Sequence, residues 1–284
     1  MKRLDWTYGL LMFVSCALVG CGTSSGGSSP DSGTGSDAKH DTGGSDGGGS
    51  CSAPDGTGKP FSGVLLLSEE TFPTPTNFGI IGAFYSGIVH SDACNGMMVG
   101  ACCYQTPAST PPGISAGTLT VTDGSTTLAT LMSPEYASSS ELDKSVMWAP
   151  GDTIKIAGSG GMFDAFSLSV VTPSLLSGVK PALSAALTVP TSSDLVVTWT
   201  PSGQACSKVI FGLSQANENA GIGCSADDSD GTLSVPSALL GKFTATSGTA
   251  SIQRVETAGV LAANGVVGVA ASNVNFQKSV TYTK

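Results

Sequence analysis

Three residue types that can form a hydrolytic triad stand side by side at His90, Ser91 and Asp92. In a working triad the histidine lies between the serine and the acid, and direct neighbours in the chain cannot take up that geometry. The sequence contains one other histidine, His40, so a site built from several histidines is excluded. We therefore expect His90 to be structural or exposed.

Acidic residues offer a second kind of catalysis, that of the carboxyl pair in a glycosidase. Glu69 and Glu70 are adjacent, and Asp92 or Glu141 would supply the second carboxyl group. Sugar-binding grooves also need aromatic platforms, and only two tryptophans follow residue 50. The sequence predicts that the folded region is not an enzyme, with a glycosidase-like hydrolase that uses an acidic site as the alternative.

One acidic cluster has the residue types of a calcium loop, namely Asp227, Asp228 and Asp230 before Gly231. An EF-hand loop ending there would need an oxygen ligand at position 226 and a glutamate at 237, where alanine and serine stand. A looser calcium site is one interpretation, and an acidic hairpin turn is the simpler one. We expect no other metal and no cofactor.

Cysteine counting gives firmer chemistry. Six cysteines remain after the N-terminal pair Cys16 and Cys21 is set aside, an even number that fits disulfides in an oxidising compartment. They are Cys51, Cys94, Cys102, Cys103, Cys206 and Cys224. We expect Cys206 to pair with Cys224, beside Trp199 in the core. Cys94 would then pair with Cys102 or Cys103, and Cys51 with the other, because a bond between adjacent residues is strained.

The charge balance excludes nucleic acid as a partner. The chain carries 12 basic and 21 acidic side chains, for a net charge of -9. Binding to phosphate backbones needs clustered lysine and arginine, and no basic block occurs in the sequence.

The N-terminal residues have the pattern of an export signal. Lys2 and Arg3 precede an apolar run from Gly9 to Val19, which is too short to span a bilayer as a helix and typical of a signal peptide. The run ends in Leu18-Val19-Gly20-Cys21, which resembles the lipobox of bacterial lipoproteins. The resemblance implies cleavage before Cys21 and acylation of that residue, and several acyl chains give stable membrane anchoring. A soluble secreted protein cleaved near Ala17 is the alternative. In enterobacterial lipoproteins an aspartate after the lipidated cysteine favours retention in the inner membrane. Gly22 stands at that position here, so the resemblance implies the outer membrane.

A tether separates this anchor from the folded chain. Residues 22 to 50 contain ten Gly, eight Ser, three Thr and four Asp, so the segment cannot build a core and should be disordered. The predicted organisation is a signal peptide over 1–20, the lipidated Cys21 with its tether over 21–50, a β-sandwich domain over 51–176 and a second one over 177–284.

Period-two alternation of apolar and hydroxyl residues predicts an all-β fold of antiparallel sandwiches. The predicted strands are Gly63–Leu67, Gly79–Val89, Thr118–Thr122, Thr153–Ile156, Phe166–Val170, Leu183–Val189, Leu195–Thr200, Lys208–Leu213, Thr232–Val235, Ala250–Thr257, Val266–Ser272 and Ser279–Thr283. Short helices are predicted over Ser133–Leu142 and Pro236–Phe243. Two tandem immunoglobulin-like or Greek-key sandwiches divided near Ser177 fit this spacing, and one larger sandwich with shared sheets stays open.

Several segments between residues 51 and 284 resemble those of the uncharacterised lipoproteins that are abundant in myxobacteria. The segments are Gly100–Tyr104, Ala116–Val121, Trp148–Asp152, Phe163–Leu168, Asp194–Trp199 and Val235–Leu240. The resemblance implies a fold and a location in the cell envelope. It implies no activity and no catalytic residues.

The function expected from the sequence is that of a lipid-anchored module of the cell envelope. It would bind, adhere or act as a structural element, with the lipid bilayer as one partner and an envelope protein or glycan as another.

Overall fold

A computed structural model describes most of the chain after residue 53. Described are residues 54, 56, 58–70, 77–87, 94, 96–105, 112–134, 136–138, 148–182, 186–216, 220–244 and 246–284, with the side chains of all except 70, 77 and 274–278. Several predictions fall outside these residues, namely those on the signal peptide, Cys21, the tether, His40, Cys51, His90, Ser91, Asp92 and Glu141.

The described chain is almost entirely β-structure, as its alternating sequence predicts. Its strands are β1 (Phe61–Glu70), β2 (Asn77–Ser86), β3 (Met97–Val99), β4 (Cys102–Gln105), β5 (Thr118–Asp123), β6 (Thr126–Met132), β7 (Tyr136–Ala137), β8 (Thr153–Gly158), β9 (Phe166–Val171), β10 (Ser177–Lys180), β11 (Leu187–Pro190), β12 (Leu195–Thr200), β13 (Ser207–Gln215), β14 (Gly221–Asp227), β15 (Thr232–Val235), β16 (Ser247–Leu261) and β17 (Gly265–Thr283). A 3-10 turn covers Asp228–Asp230, and helix α1 covers Ser237–Leu240.

The strands form four groups. The largest has seven strands in the order β11-β17-β16-β13-β14-β4-β3, and β1 packs along its strand β17 with β2 and β7 beyond. A four-stranded sheet runs β6-β5-β8-β9, and a three-stranded sheet runs β10-β12-β15. Pairing between the named strands is antiparallel except for β11 with β17, which is parallel. This is an all-β sandwich architecture.

Two hydrophobic cores lie against the large sheet. The first is enclosed by β1, β2 and the start of β17 on one side and by the four-stranded sheet on the other. The second is enclosed by β13, β14 and the end of β17 on one side and by β12, β15 and α1 on the other. Strand β9 shows how the sequence forms the buried face of a sheet. Phe166, Leu168 and Val170 point into the core, and the serines between them are exposed.

The cores do not follow the chain order that the sequence predicted. Cys102 belongs to the second core although it lies far before residue 177, and Val267 and Val269 belong to the first core although they lie far after it. Strands β16 and β17 run through both. The division at residue 177 into two separately folding domains stays a prediction.

Some predicted elements need correction. Tyr136–Ala137 forms strand β7 against β2 rather than part of a helix, because the Tyr136 ring is a core residue. Its hydroxyl accepts a hydrogen bond from the Ala116 amide and donates one to the Gly117 carbonyl, which fixes the strand. The second predicted helix is present as α1, with Pro236 as its N-cap residue. The expected linker near residue 177 contains strand β10.

The disulfides confirm one expectation and overturn another. Cys94 is bonded to Cys103, one of its two expected partners. Cys224 is bonded to Cys102 and not to Cys206. Strand β14 pairs with β4 in a register that sets Cys224 directly opposite Cys102, with 4.0 Å between their Cα atoms.

The same register removes Cys206 from reach. On β13 the residue opposite Cys224 is Phe211, so Ser207 at the start of the strand is already roughly 13 Å away at strand spacing, and Cys206 lies in the turn before it. Cys206 is disulfide-bonded elsewhere. Because Cys102 and Cys103 are both occupied, the expected bond from one of them to Cys51 is also wrong.

Candidate functional site

A band of buried polar side chains separates the two cores on the inner face of the large sheet. Strand β16 shows the change clearly, since Ala250 and Ile252 enter the second core while Ala258 and Val260 pack against the first. The residues between them on the same face are charged. We call this band the polar layer, and its members are the buried Ser207, Asp228, Arg254, Glu256 and Asn273 with the half-buried Glu69 at one end.

Arg254 is the centre of the polar layer, and its side chain is 1% exposed. Its Nε and Nη2 atoms both contact Oδ1 of Asp228, at 2.9 and 2.8 Å. Nη2 also donates to the Thr200 carbonyl at 2.6 Å, and Nη1 donates to the Leu175 carbonyl at 2.8 Å. All three guanidinium nitrogens are therefore hydrogen-bonded, as a buried charge requires.

Asp228 meets Arg254 because the 3-10 turn after β14 directs it inward. Gly231 ends that turn in the left-handed conformation, at a φ of 63°. The second carboxylate oxygen, Oδ2, accepts hydrogen bonds from the backbone amide and the hydroxyl of Ser202. Burial raises the pKa of Asp228, but the Ser202 hydrogen bonds and the Arg254 charge outweigh it and lower the pKa below its usual range. Asp228 is a structural anion.

These contacts also decide the calcium interpretation. Asp227, next in the chain, points outward and pairs with Lys208 at 3.3 Å, with 67% of its side chain exposed. Asp230 is exposed as well. The predicted candidates therefore diverge, and the described residues contain no group of three metal-ligating side chains. The acidic hairpin turn is the interpretation that the geometry supports.

A second set of hydrogen bonds ties the chain before β10 to the polar layer. Gln204 accepts through Oε1 from the amide and the hydroxyl of Ser174, both at 2.8 Å. Its Nε2 atom donates to the Thr172 carbonyl at 3.3 Å. Arg254 donates to carbonyls of this same segment, so residues 172–176 are held from two sides.

Glu256 is the unusual member of the layer. It is 5% exposed, and its Oε1 atom has no hydrogen-bond partner. Ser207 lies directly across from it on β13, and its buried hydroxyl is near enough to the Glu256 carboxyl to lower the pKa without reaching good hydrogen-bond geometry. Burial raises the pKa of Glu256 to about 7, and the nearby Ser207 hydroxyl and Arg254 charge offset only part of that effect. The residue can therefore gain or lose a proton near neutral pH.

Glu69 stands at the far end of the layer. Its Oε2 atom accepts a hydrogen bond of 3.0 Å from Nδ2 of Asn273, whose Oδ1 atom is buried without a partner. Burial raises the pKa of Glu69, and the Asn273 hydrogen bond lowers it in part. Glu69 was one of the carboxyl groups considered for glycoside hydrolysis. The proposed second carboxyls, Asp92 and Glu141, lie outside the described residues.

The tryptophans are not sugar platforms. Trp199 is a core residue, as predicted, and its indole Nε1 donates to the Asp228 carbonyl at 2.9 Å. Trp148 packs edge-on against Phe78 in the first core, with ring centroids 4.9 Å apart. Both rings are buried.

A serine motif in the chain also has a structural role. Gly113 to Gly117 reads Gly-Ile-Ser-Ala-Gly, the spacing of a nucleophile elbow, which requires a strand before it and a helix after it. Here it precedes strand β5, without a helix. The Ser115 hydroxyl accepts from the Gly117 amide at 3.2 Å and lies 3.4 Å from the Tyr136 hydroxyl, so it braces a turn.

The chain matches no protein-family model and no curated protein. The resemblances to a lipobox and to myxobacterial lipoproteins stay predictions. In the described part of the chain, no helix has the length and apolar character needed to cross a membrane.

Sequence reasoning did not find the polar layer. One signal for it exists, because Arg254 is the one arginine after residue 50 and stands in a strand whose neighbours Ile252 and Val255 are apolar. A charge at such a position needs a buried partner. The identity of that partner, Asp228, depends on strand order and cannot be read from the sequence.

Proposed function

We propose that this protein is a lipid-anchored module of the cell envelope with a non-catalytic role in binding, adhesion or spacing. The acylated Cys21 would hold it to a lipid bilayer, in the outer membrane because Gly22 follows that cysteine. The tether over residues 22–50 would keep the folded region away from the lipid surface. Its ligand would be an envelope protein or a glycan.

The observation that carries the proposal is the hairpin of β16 and β17. Strand β17 has 19 residues, about 60 Å at strand spacing, and contributes side chains to both cores. Two sandwiches that share such strands behave as one stiff body, which suits a spacer or a platform. The charged side chains between the cores serve this stiffness, since Arg254 and Asp228 use their hydrogen bonds on each other and on nearby loops.

The disulfides support the same proposal. Two bonds are described, and Cys206 is bonded as well. Such bonds persist outside the reducing cytosol, which agrees with an exported protein.

Metabolic labelling tests the anchor. Cells that express the full chain are grown with radiolabelled palmitate, and label is expected in the wild-type protein and not in Cys21→Ser. Cys16→Ser is the matched control, because it removes a cysteine from the same apolar run and should leave the label intact. Label that persists in Cys21→Ser would refute the lipoprotein assignment.

Activity and binding screens test the role. The detergent-solubilised wild-type protein is applied to an array of glycans and envelope proteins, and to esterase, peptidase and glycosidase substrates. We expect a binding signal and no turnover above background. Reproducible turnover that Glu69→Gln abolishes while the fold stays intact would favour the hydrolase alternative.

A further inference from the structure

We infer that Glu256 is a proton-controlled latch on the polar layer. While Glu256 keeps its proton, Arg254 stays on Asp228 and holds residues 172–176 against the sheet. When Glu256 loses the proton, its carboxylate competes with Asp228 for Arg254 and the held segment loosens.

The geometry supplies a second acceptor beside the arginine. Arg254 and Glu256 are two residues apart on one strand, so their side chains leave the same face, and their Cα atoms are roughly 7 Å apart. A flexible arginine side chain can span that distance. The Oε1 atom of Glu256 is buried and has no hydrogen-bond partner, so an ionised Glu256 needs a stronger donor than the neutral Ser207 hydroxyl across from it.

The groups around Glu256 leave Arg254 as its natural partner. On its own strand the charged neighbour on that face is Arg254, and from the 3-10 turn the negative charge of Asp228 acts on it. Across on β13 stands the neutral Ser207. The next residue there, Lys208, belongs to the opposite face and pairs with Asp227.

The remaining neighbours carry no positive charge. On β17 the residue opposite Glu256 is Ala271, followed on that face by the neutral Asn273. Beyond Asn273, β1 contributes the carboxyl group of Glu69. Among the described residues that face Glu256, Arg254 is therefore the cation that can respond to its ionisation.

Movement of Arg254 has a defined consequence. Its Nη1 atom donates to the carbonyls of Ser174 and Leu175, and its Nη2 atom donates to that of Thr200. The first two carbonyls belong to the segment before β10, and that of Thr200 belongs to the last residue of β12, where the following segment begins. Weaker arginine contacts would free both segments from the edge of the second core. The expected effect is local opening and not global unfolding.

The size of the effect follows from linkage. A group whose pKa is about 7 when closed and 4.5 when open favours the closed state in acid, and the opening equilibrium should rise about tenfold between pH 6 and pH 8. The sign is that expected for a carboxyl group whose pKa is raised in the closed state. Its contribution to the stability of the closed state is present at low pH and is lost as the pH rises through 7.

Hydrogen exchange on the full chain in detergent tests the latch. The reporters are the backbone amides of Ser174 and Ser202, which bond to Gln204 and Asp228. After correction for intrinsic exchange, their protection should fall about tenfold from pH 6 to pH 8 in the wild type, as linkage predicts. Glu256→Gln cannot ionise and should remove this pH dependence.

Glu69→Gln is the matched control, since Glu69 is the half-buried carboxyl at the far end of the polar layer. This variant should keep the wild-type pH profile. Amide protection that does not change across pH 7 in the wild type would overturn the latch. A pH dependence that Glu256→Gln leaves unchanged would overturn it as well. If Glu256→Gln does not fold, the wild-type profile decides by its midpoint, which must lie near pH 7.

Discussion

Replacing Asp228 by asparagine should destabilise the protein far more than the same change at its neighbour Asp227. The Asp228 side chain is 2% exposed and pairs with Arg254, which is 1% exposed. Asp228→Asn removes the negative charge and leaves the guanidinium buried without compensation. Loss of one partner from a buried ion pair costs about 3–5 kcal/mol in free energy of unfolding.

Asp227→Asn is the matched control. Asp227 carries the same charge one residue earlier, and its side chain is 67% exposed in a surface pair with Lys208. Exposed pairs contribute less than about 1 kcal/mol. The two variants have the same chemistry and the same net charge, so a difference between them reports burial and pairing alone.

Urea unfolding followed by circular dichroism and tryptophan fluorescence measures the difference. With a slope of about 3 kcal/mol per M, a loss of 3–5 kcal/mol lowers the midpoint by about 1–1.7 M. A third protein, Asp228→Asn combined with Arg254→Met, removes both charges and should lose less than the sum of the two single variants. Equal midpoints for Asp228→Asn and Asp227→Asn would refute the role assigned to the ion pair.

Three further changes should also affect stability. Cys224→Ser opens the bond to Cys102, which closes a loop of 122 residues, and should lower the free energy of unfolding by on the order of 5 kcal/mol; non-reducing peptide mapping that finds Cys224 linked elsewhere would contradict this. Tyr136→Phe removes two buried hydrogen bonds to the backbone and should lower the free energy of unfolding in urea by about 1–3 kcal/mol. An unchanged midpoint would show that these bonds contribute little to stability. Gly117→Ala should lower the free energy of thermal unfolding by about 2 kcal/mol or more, because the backbone has a φ of +75° and the new Cβ would clash with the Gly160 carbonyl oxygen. A stabilised variant would disprove that constraint.

Local pattern predicted most of the fold. Strands such as β9 and β12 alternate along their own length, so each could be located from a handful of residues. Strand β14 was missed because its sequence, Gly-Ile-Gly-Cys-Ser-Ala-Asp, has glycines where alternation would show. The sequence predicts a linker where strand β10 lies, because its four residues include Gly178, whose positive φ accompanies an irregular pairing with β12.

Long-range pairing could not be predicted. The bond between Cys102 and Cys224 depends on β14 pairing with β4, and no local signal in the chain sets that order. The ion pair depends likewise on the turn at Asp228 folding back over β16. Arg254 and Asp228 are 26 residues apart in the chain, so their pairing cannot be predicted from local sequence. A single arginine between apolar residues of a strand does indicate that it has an acidic partner.

The long hairpin of β16 and β17 also sets the order in which this protein can fold. Every other strand that the structure describes precedes it in the chain, and both cores need side chains from it, so neither core closes until residues 247–283 are in place. Contacts such as that of Asn273 with Glu69 span more than two hundred residues, and pairings of that kind make folding slow. Both cores therefore stay open until residues 247–283 are in place, and an open chain is the form that the export proposed above would require.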